Sequence, residues 1–525
     1  MGGNPGEKVR VCYYRCRWRL TVQISLIALR TIGKMWLMET IRTWIAGMIA
    51  AGTLSACAQN PVTGQSDFVL MGESQELAIG RQAHDQILKE YGRYEDAGLQ
   101  NYVQQVGQRL AARSHRADLV YRFTVLDGEE VNAFALPGGY IYITRGMLAL
   151  LNSEAELAAV LGHEVGHVTA RHSVRQYTAQ QAAGIGYTVG AILLPELRTA
   201  AAQNVYSLFG GALIRGYGRE HELEADGLGA EYLARSGYDP NAMIQVIRAL
   251  KAQESFEVER ARREGREPNV YHGLFSTHPD NDTRLQQVVG KAGALAAAGG
   301  QTRVNRELYL NSIAGLRYGP GVKEGVLRGR DFYHADLGLT LRFPEGWRVE
   351  NRPDRLLALP PANDALLQLF LEDLNKRIPP EQFIQERLGL RPIQGQVLSA
   401  GELPAYTALA DSNTPFGRRL ARFTVVYFQD KAYIFVGARK KGDDNRTYRT
   451  EFLNAALSLR ALSPEERKSA EARRIALLRA NADTRYTALA ARSGLTSYAE
   501  AQLRLLNGDY PVGEPKPSRL IKTIE

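Results

Sequence analysis

Apolar residues recur at helical spacing between Ser153 and His172, which predicts a single buried helix. Ser153 is followed three residues later by Glu156, a pairing typical of a capping box, so the helix is expected to begin there. Polar side chains lie inside this apolar sequence, which indicates that they face inward for a chemical reason. The apolar stripe consists of Leu157, Val160, Leu161 and Val168.

The same periodicity predicts further elements on both sides of this helix. Helices are predicted at 74–90 and 96–113, and a strand from Leu119 to Leu126. A Pro-Gly-Gly turn then separates two short strands, the second of which is Tyr140 to Thr144. Two interpretations of this second strand stay open: a sheet edge to which an extended peptide adds, or one arm of an ordinary hairpin.

His163, Glu164 and His167 form a His-Glu-x-x-His element in the buried helix. The two histidines are four residues apart, about 40° around a helix, so both imidazoles can bind one cation. Glu164 lies about 100° to one side, where it could accept a proton from water that zinc has made acidic. This spacing favours one zinc ion per chain over a buried helix with two ordinary histidines.

A site with two histidines needs a third protein ligand, and the helix predicted from Arg219 to the Ser236-Gly237 stop carries several glutamates. Glu222 is the best candidate, because Asp226 lies on the same face and could orient a ligand imidazole. The alternative is a solvated acidic face. His172 would lie about 180° from His163 on a continuous helix, so a structural or supporting role is expected.

Basic charge is concentrated near the start of the chain. The first 56 residues hold eight basic and two acidic residues, so most of the net charge of +9 belongs to them. Nucleic-acid binding is therefore not expected. The composition, 45% hydrophobic and 23% charged, is ordinary for a soluble globular protein.

All three cysteines lie within the first 57 residues, so no disulfide framework or cysteine zinc site holds the remainder together. The apolar run from Trp44 to Leu54 ends in Leu-Ser-Ala-Cys, which resembles a bacterial lipobox. We therefore expect lipidation of Cys57 as the first mature residue. An uncleaved signal anchor is the alternative, but the run is short for a spanning helix.

A leader of normal length would begin at Met35 or Met38, so the first 34 residues are interpreted as an upstream start-site artefact. Ala58 stands where an inner-membrane retention signal would place Asp, which favours a periplasmic protein anchored to the outer membrane.

With these motifs the sequence resembles the HtpX and CAAX-prenyl-protease family of gluzincin metallopeptidases, and especially its periplasmic bacterial members. The resemblance runs from about residue 60 to 290. It rests on His163-Glu164-Val-Gly-His167-Val-Thr-Ala-Arg-His172, Glu222-x-x-Ala225-Asp226, Asn132-Ala-Phe-Ala-Leu-Pro137-Gly-Gly and Ser276-Thr-His278-Pro-x-x-x-x-Arg284.

The resemblance implies roles for particular residues. Zinc would be bound by His163, His167 and Glu222, with Glu164 as general base and acid and Asp226 in support. It also implies that Asn132 and His278 contact the peptide or the developing oxyanion. In some relatives the histidine matching His278 occupies the open zinc position and silences the enzyme.

Two smaller modules follow. A predicted hairpin across residues 429–431 and predicted helices at 381–389 and 448–460 indicate an α+β sandwich, similar to the PsbP type around Phe343-Pro-Glu-Gly-Trp347. After a second capping box at Ser463, a β-α-α-β order resembles a peptidoglycan-binding LysM domain. Ala482 replaces the usual glycine there, so glycan binding and a purely structural cap both stay open.

The predicted fold class is a multidomain α+β protein, with a mainly helical gluzincin domain that carries a small sheet. Its expected function is zinc-dependent hydrolysis of unfolded or misassembled envelope proteins. A chaperone-like protein with latent protease activity and a peptidoglycan-binding anchor are the alternatives. The predicted parts are a leader 1–56, a tether 57–72, the peptidase 73–292, a linker 293–324, an accessory domain 325–462 and the LysM-like domain 463–525.

Overall fold

The computed structural model describes residues 57–179, 218–268, 290–295, 302–319, 325–352, 355–441, 447–495 and 497–525. The chain forms two compact units, one of residues 1–76 and 174–202, the other of residues 77–173 and 203–525. The predicted leader 1–56 and His278 lie outside the described residues.

The first unit contains a short antiparallel ribbon. Strands β1 (Cys57–Gln59) and β2 (Ser66–Phe68) pair with Cys57 opposite Phe68. The Asn60 side chain closes the turn, since it accepts a hydrogen bond from the Val62 amide at 2.9 Å and donates to Asp67 at 2.8 Å. The predicted tether therefore contains a hairpin.

The part of the second unit predicted as the peptidase is helical around a small sheet. Strands β3 (Arg122–Leu126) and β5 (Tyr140–Thr144) are parallel, β4 (Ala133–Leu136) pairs antiparallel with β5, and the sheet order is β3-β5-β4. The helices predicted at 74–90 and 96–113 are confirmed. The elements are α1 (Glu73–Tyr91), α2 (Ala97–Ala111), β3 (Arg122–Leu126), β4 (Ala133–Leu136), β5 (Tyr140–Thr144), α3 (Arg145–Leu150), α4 (Glu154–Thr169), α5 (Arg219–Arg235) and α6 (Ala242–Arg263).

The hypothesis that Tyr140–Thr144 forms a sheet edge is wrong, because β5 is the central strand of the described sheet. The hairpin interpretation is confirmed: β4 turns into β5 through Gly138 and Gly139, whose φ angles of 80° and 85° suit glycine. Strands β3 and β4 are the two edges of the described sheet, and α4 packs against β4.

The accessory region contains two sheets, and buried apolar side chains pack on both faces of the larger sheet. Its seven-stranded sheet has the order β10-β11-β12-β16-β15-β14-β13, and a four-stranded sheet has the order β17-β9-β8-β7. Phe383 and Ile384 of α8 cover one face of the larger sheet, and Phe343 and Phe452 pack on the other. The elements are α7 (Arg306–Ser312), β6 (Arg317–Tyr318), β7 (Val326–Arg328), β8 (Asp331–His334), β9 (Leu339–Arg342), β10 (Arg348–Arg352), β11 (Arg355–Leu359), β12 (Ala365–Asp373), α8 (Pro380–Glu386), β13 (Ile393–Ala400), β14 (Leu403–Thr414), β15 (Gly417–Phe428), β16 (Lys431–Arg439), α9 (Arg449–Leu457) and β17 (Arg460–Ala461).

The C-terminal module has the predicted β-α-α-β order. It comprises α10 (Pro464–Ser469), β18 (Arg473–Arg479), α11 (Tyr486–Arg492), α12 (Ala499–Asn507) and β19 (Leu520–Ile524). Strand β18 pairs with β19 and also with β6, so the module shares a sheet with the preceding linker. Its relation to LysM domains stays a prediction.

Among the helices in the described ranges, none is long and apolar enough to cross a membrane.

Candidate metal centre

Helix α4 carries the candidate site, and its first turn is held by buried polar contacts. The Glu156 amide donates to Ser153 Oγ at 3.2 Å, which confirms the predicted cap. The Glu156 carboxylate accepts from the Asn152 amide at 2.7 Å and from the Ser153 hydroxyl at 3.3 Å. Glu154, 1% exposed, accepts from the hydroxyls of Tyr102 and Tyr238, each at 2.8 Å. Carboxylates in the first turn also interact favourably with the helix dipole.

Helices α4 and α5 approach closely beside the candidate ligands. A Cβ built on Gly166 would lie 3.0 Å from the Ala225 carbonyl oxygen, and one on Gly229 would lie 3.0 Å from the His163 amide nitrogen. The small residues therefore allow backbone to pack on backbone, which brings the α5 carboxylates to the α4 histidines.

Three buried side chains, His163, His167 and Glu222, converge between these helices. Their candidate ligand atoms all lie within 4.8 Å of one another. The two Nε2 atoms are 3.0 Å apart, and each lies 3.5 Å from an oxygen of Glu222. Two imidazoles and a carboxylate are the donor set of His₂Glu catalytic zinc sites, so the residues fit zinc.

The two candidate histidine ligands are oriented by different partners. His163 Nδ1 lies 2.8 Å from an Asp226 carboxylate oxygen, whereas His167 Nδ1 lies 2.8 Å from Nδ1 of His172. His172 Nε2 in turn lies 3.1 Å from a Glu224 oxygen. Such contacts fix the ring orientation and leave both Nε2 atoms directed at the same point.

His172 does not lie on the continuous helix that the sequence analysis assumed. Helix α4 ends at Thr169, and Arg171 has a φ of 53°, so the chain leaves the helix before His172. His172 is fully buried, and its ring stacks on His221 with centroids 4.3 Å apart. This geometry agrees with the expectation that His172 supports the site rather than binding the metal. The sequence predicted neither the contact of His172 with His167 nor its contact with Glu224.

The other candidate residues have different positions. Glu164 is 1% exposed and directly follows His163 on α4. Asn132 is buried immediately before β4, and its backbone amide donates to Thr144 Oγ1 at 3.1 Å. The place of His278 relative to them lies outside the described residues.

The chain is similar to known proteins over part of its length. The chain is 26% identical over 272 residues to the beta-barrel assembly-enhancing protease of Escherichia coli K12, covering 51% of this chain and 54% of that protein. It is 33% identical over 224 residues to a putative beta-barrel assembly-enhancing protease of Vibrio cholerae, covering 40% of this chain and 46% of that protein. The chain thus spans about half the length of these relatives.

A mitochondrial relative and one solved structure extend the comparison. The mitochondrial metalloendopeptidase OMA1 of Schizosaccharomyces pombe is 27% identical over 254 residues, covering 47% of this chain and 70% of that protein. A cyanobacterial PsbP from Synechocystis has 13% identity and a TM-score of 0.21, covering 28% of this chain and 99% of its own.

The model of peptidase family M48 matches residues 98–292, a range that includes all three converging side chains. Residues 98–292 of this chain therefore resemble the metalloproteases of peptidase family M48.

Proposed function

We propose that this chain is a zinc-dependent endopeptidase that cleaves unfolded or misassembled proteins of the bacterial cell envelope. The observation that carries the proposal is the convergence of three buried donors from two helices, with Glu164 at the next position of α4. The matched family and the metalloprotease relatives support the same activity.

Each residue of the site has a proposed task. His163, His167 and Glu222 hold zinc, which when bound polarises a carbonyl and lowers the pKa of water. Glu164 accepts the proton of the attacking water and later donates it to the leaving amine. Asp226 holds the ring of His163 through the 2.8 Å contact to Nδ1.

The substrate would lie along the described sheet edge. Of the two edge strands of this sheet, β4 packs on α4, so an extended peptide could add to β4 through backbone hydrogen bonds. Asn132 directly precedes β4, where it would contact the peptide or the oxyanion. We propose the same contact for His278. In the alternative, His278 would occupy the open zinc position and silence the enzyme.

We further propose that lipid on Cys57 anchors the mature protein in the periplasm, at the outer membrane. The lipobox-like sequence before Cys57 supports the anchor, and the beta-barrel assembly-enhancing proteases among its relatives support an envelope setting. Mass spectrometry of the purified protein should find a mature chain that begins with lipidated Cys57. Recovery of a mature chain that retains Cys12 would contradict this.

Substitutions on the two helices separate zinc binding from proton transfer. Glu164→Gln should retain one zinc per chain but lower the turnover of an unfolded test protein by about 100-fold or more. Glu222→Gln should lose zinc and activity together. Glu220→Gln, an exposed glutamate on the same helix, is the matched control and should retain both.

Two results would reject this mechanism: undiminished turnover by Glu164→Gln, or normal zinc content in Glu222→Gln. The chaperone-like alternative has a separate readout. If Glu164→Gln fully restores envelope-stress resistance to cells that lack the protein, binding rather than cleavage is the function in the cell.

A further inference from the structure

A cavity of about 420 Å³ lies away from the metal centre, where the peptidase part, strand β6 and the C-terminal module meet. Guanidinium groups line it from four elements: Arg145 of α3, Arg260 of α6, Arg317 of β6 and Arg473 of β18. Glu129 is the acidic residue in the lining formed by the described part of the chain. Basic side chains from distant parts of the sequence therefore face one space.

Neighbouring carboxylates do not balance these arginines. Asp127 serves two of them at once, with its oxygens 2.7 Å from Arg145 Nε and 2.8 Å from Arg317 Nη2. Arg260 Nε lies 3.4 Å from Glu257 and 3.6 Å from Glu264, but both carboxylates lie closer to Arg266, at 2.7 and 2.6 Å. With Arg266 and Glu129 included, five guanidinium groups face four carboxylates in the described residues, so positive charge is in excess around the cavity.

Arg473 shows the clearest deficit of acceptors. Its Nη2 donates to the Gly494 carbonyl oxygen, while its Nε has no acceptor among the residues that the structure describes. Burial and the nearby Arg328 lower the pKa of Arg473, so its surroundings disfavour the charged form. An anion in the cavity would remove both penalties, because it supplies acceptors and opposite charge.

We propose that this cavity binds a small phosphate-type oxyanion, with Arg473 and Arg260 as its main contacts. Guanidinium groups match phosphate oxygens with paired, charge-assisted hydrogen bonds. The volume also leaves space for a substituent, so the occupant is either free phosphate or a phosphate ester such as a lipid headgroup. A bound anion would join α6 of the peptidase to β18 of the C-terminal module.

Thermal unfolding of the full zinc-loaded chain tests this site without any peptidase assay. Inorganic phosphate and glycerol 3-phosphate, the headgroup probe, are each compared with sodium chloride at equal ionic strength. At saturation, phosphate should raise the Tm of the wild type by about 2 °C or more. A lower half-saturating concentration for glycerol 3-phosphate would assign the site to an ester, and the reverse order to free phosphate.

Neighbouring arginines of β18 provide a matched pair of variants. Arg473→Gln should abolish the phosphate-dependent shift, whereas Arg474→Gln should preserve it, because Arg474 is exposed and donates to the Gly315 carbonyl at 2.8 Å. Arg260→Gln, whose native side chain is 40% exposed, should fold normally and raise the half-saturating concentration about tenfold or more.

The proposal is overturned if the wild type shows no shift beyond the chloride control. It is also overturned if Arg473→Gln and Arg260→Gln both shift as the wild type does, since phosphate would then bind elsewhere, for example at the metal.

Discussion

His163 and His167 lie on the same helix, but different side chains orient their rings. His163 meets a carboxylate, Asp226, whereas His167 meets the imidazole of His172, which in turn meets Glu224. A carboxylate raises the basicity of a ligand imidazole more directly than a second imidazole does. The Glu224 contact compensates in part, because it places negative charge at the far end of the His172 ring.

We predict that His172→Ala weakens zinc binding by about 10–100-fold, because the ring of His167 loses its fixed orientation. His172→Asn should restore part of the affinity, since its amide can replace Nδ1 although it cannot reach Glu224. Zinc dissociation constants measured by chelator competition distinguish the two variants. Equal affinity in wild type and His172→Ala would show that this contact does not position His167.

The sequence predicted correctly which side chains share a helix face. His163 and His167 lie four residues apart on one continuous helix, and Glu222 and Asp226 lie four residues apart on another, whereas their roles stay predictions. The His172 contact could not be predicted in the same way. It depends on the positive φ of Arg171, a non-glycine residue whose conformation leaves no signal in the sequence.

At the scale of elements, the site depends on how closely α4 and α5 approach. Gly166 lies between the candidate ligands of α4, and a Cβ there would meet backbone atoms of Ala225 at 3.0 and 3.2 Å. At Gly162, one turn earlier, a Cβ would lie 3.4 Å or more from its neighbours at Gly229. The two glycines on one helix therefore differ in what an added methyl group would do.

We predict that Gly166→Ala lowers the free energy of unfolding by about 1–3 kcal/mol, because the added methyl group overpacks the helix contact. It should also weaken zinc binding, because α5 carries Glu222. Gly162→Ala should be neutral or stabilising by up to about 1 kcal/mol, since alanine favours helix more than glycine. Urea unfolding and zinc titration of both variants provide the measurement. Equal losses in the two would contradict this account of the close approach.

Sequence patterns predicted which segments form helices or strands better than they predicted which elements pack together. The Pro-Gly-Gly turn correctly indicated a strand at 140–144. Its central place in the sheet depends on β3, which precedes the hairpin in sequence and pairs in parallel with β5. The first turn of α11 likewise depends on a residue that is distant in sequence. Glu514 accepts from the Tyr486 amide at 3.0 Å, across 28 residues of sequence.

At the scale of the whole molecule, the C-terminal module supports the start of the metal helix. Lys522 of β19 is fully buried, and its Nζ donates to the carbonyls of Ala149, Leu150 and Leu151 at 2.6, 3.3 and 2.7 Å. These carbonyls end α3, just before α4 begins. Burial lowers the pKa of Lys522 and raises that of Glu156.

Further contacts join the same two regions. Asn152 Nδ2 donates to the Leu506 carbonyl at 3.1 Å, and Arg306 donates to the carbonyls of Asn152 and Leu520 at 2.9 and 3.2 Å. A module tethered only for glycan binding would not need these hydrogen bonds to the peptidase. Peptidoglycan binding stays a separate prediction, and the full chain is the proper sample for a pull-down test because the module is packed on the peptidase.

We predict that Lys522→Met destabilises the peptidase although residue 522 lies far along the chain from the metal helix. Methionine has a similar volume but no donor, so three buried carbonyls lose their partner at a total cost of about 3 kcal/mol or more. The Tm should fall by about 5 °C or more, with zinc released in the same transition. Lys516→Met, at an exposed position of the same module, is the control and should unfold as the wild type does. If Lys522→Met lowers the Tm no more than Lys516→Met, the two regions are stable independently and the module does not support the metal helix.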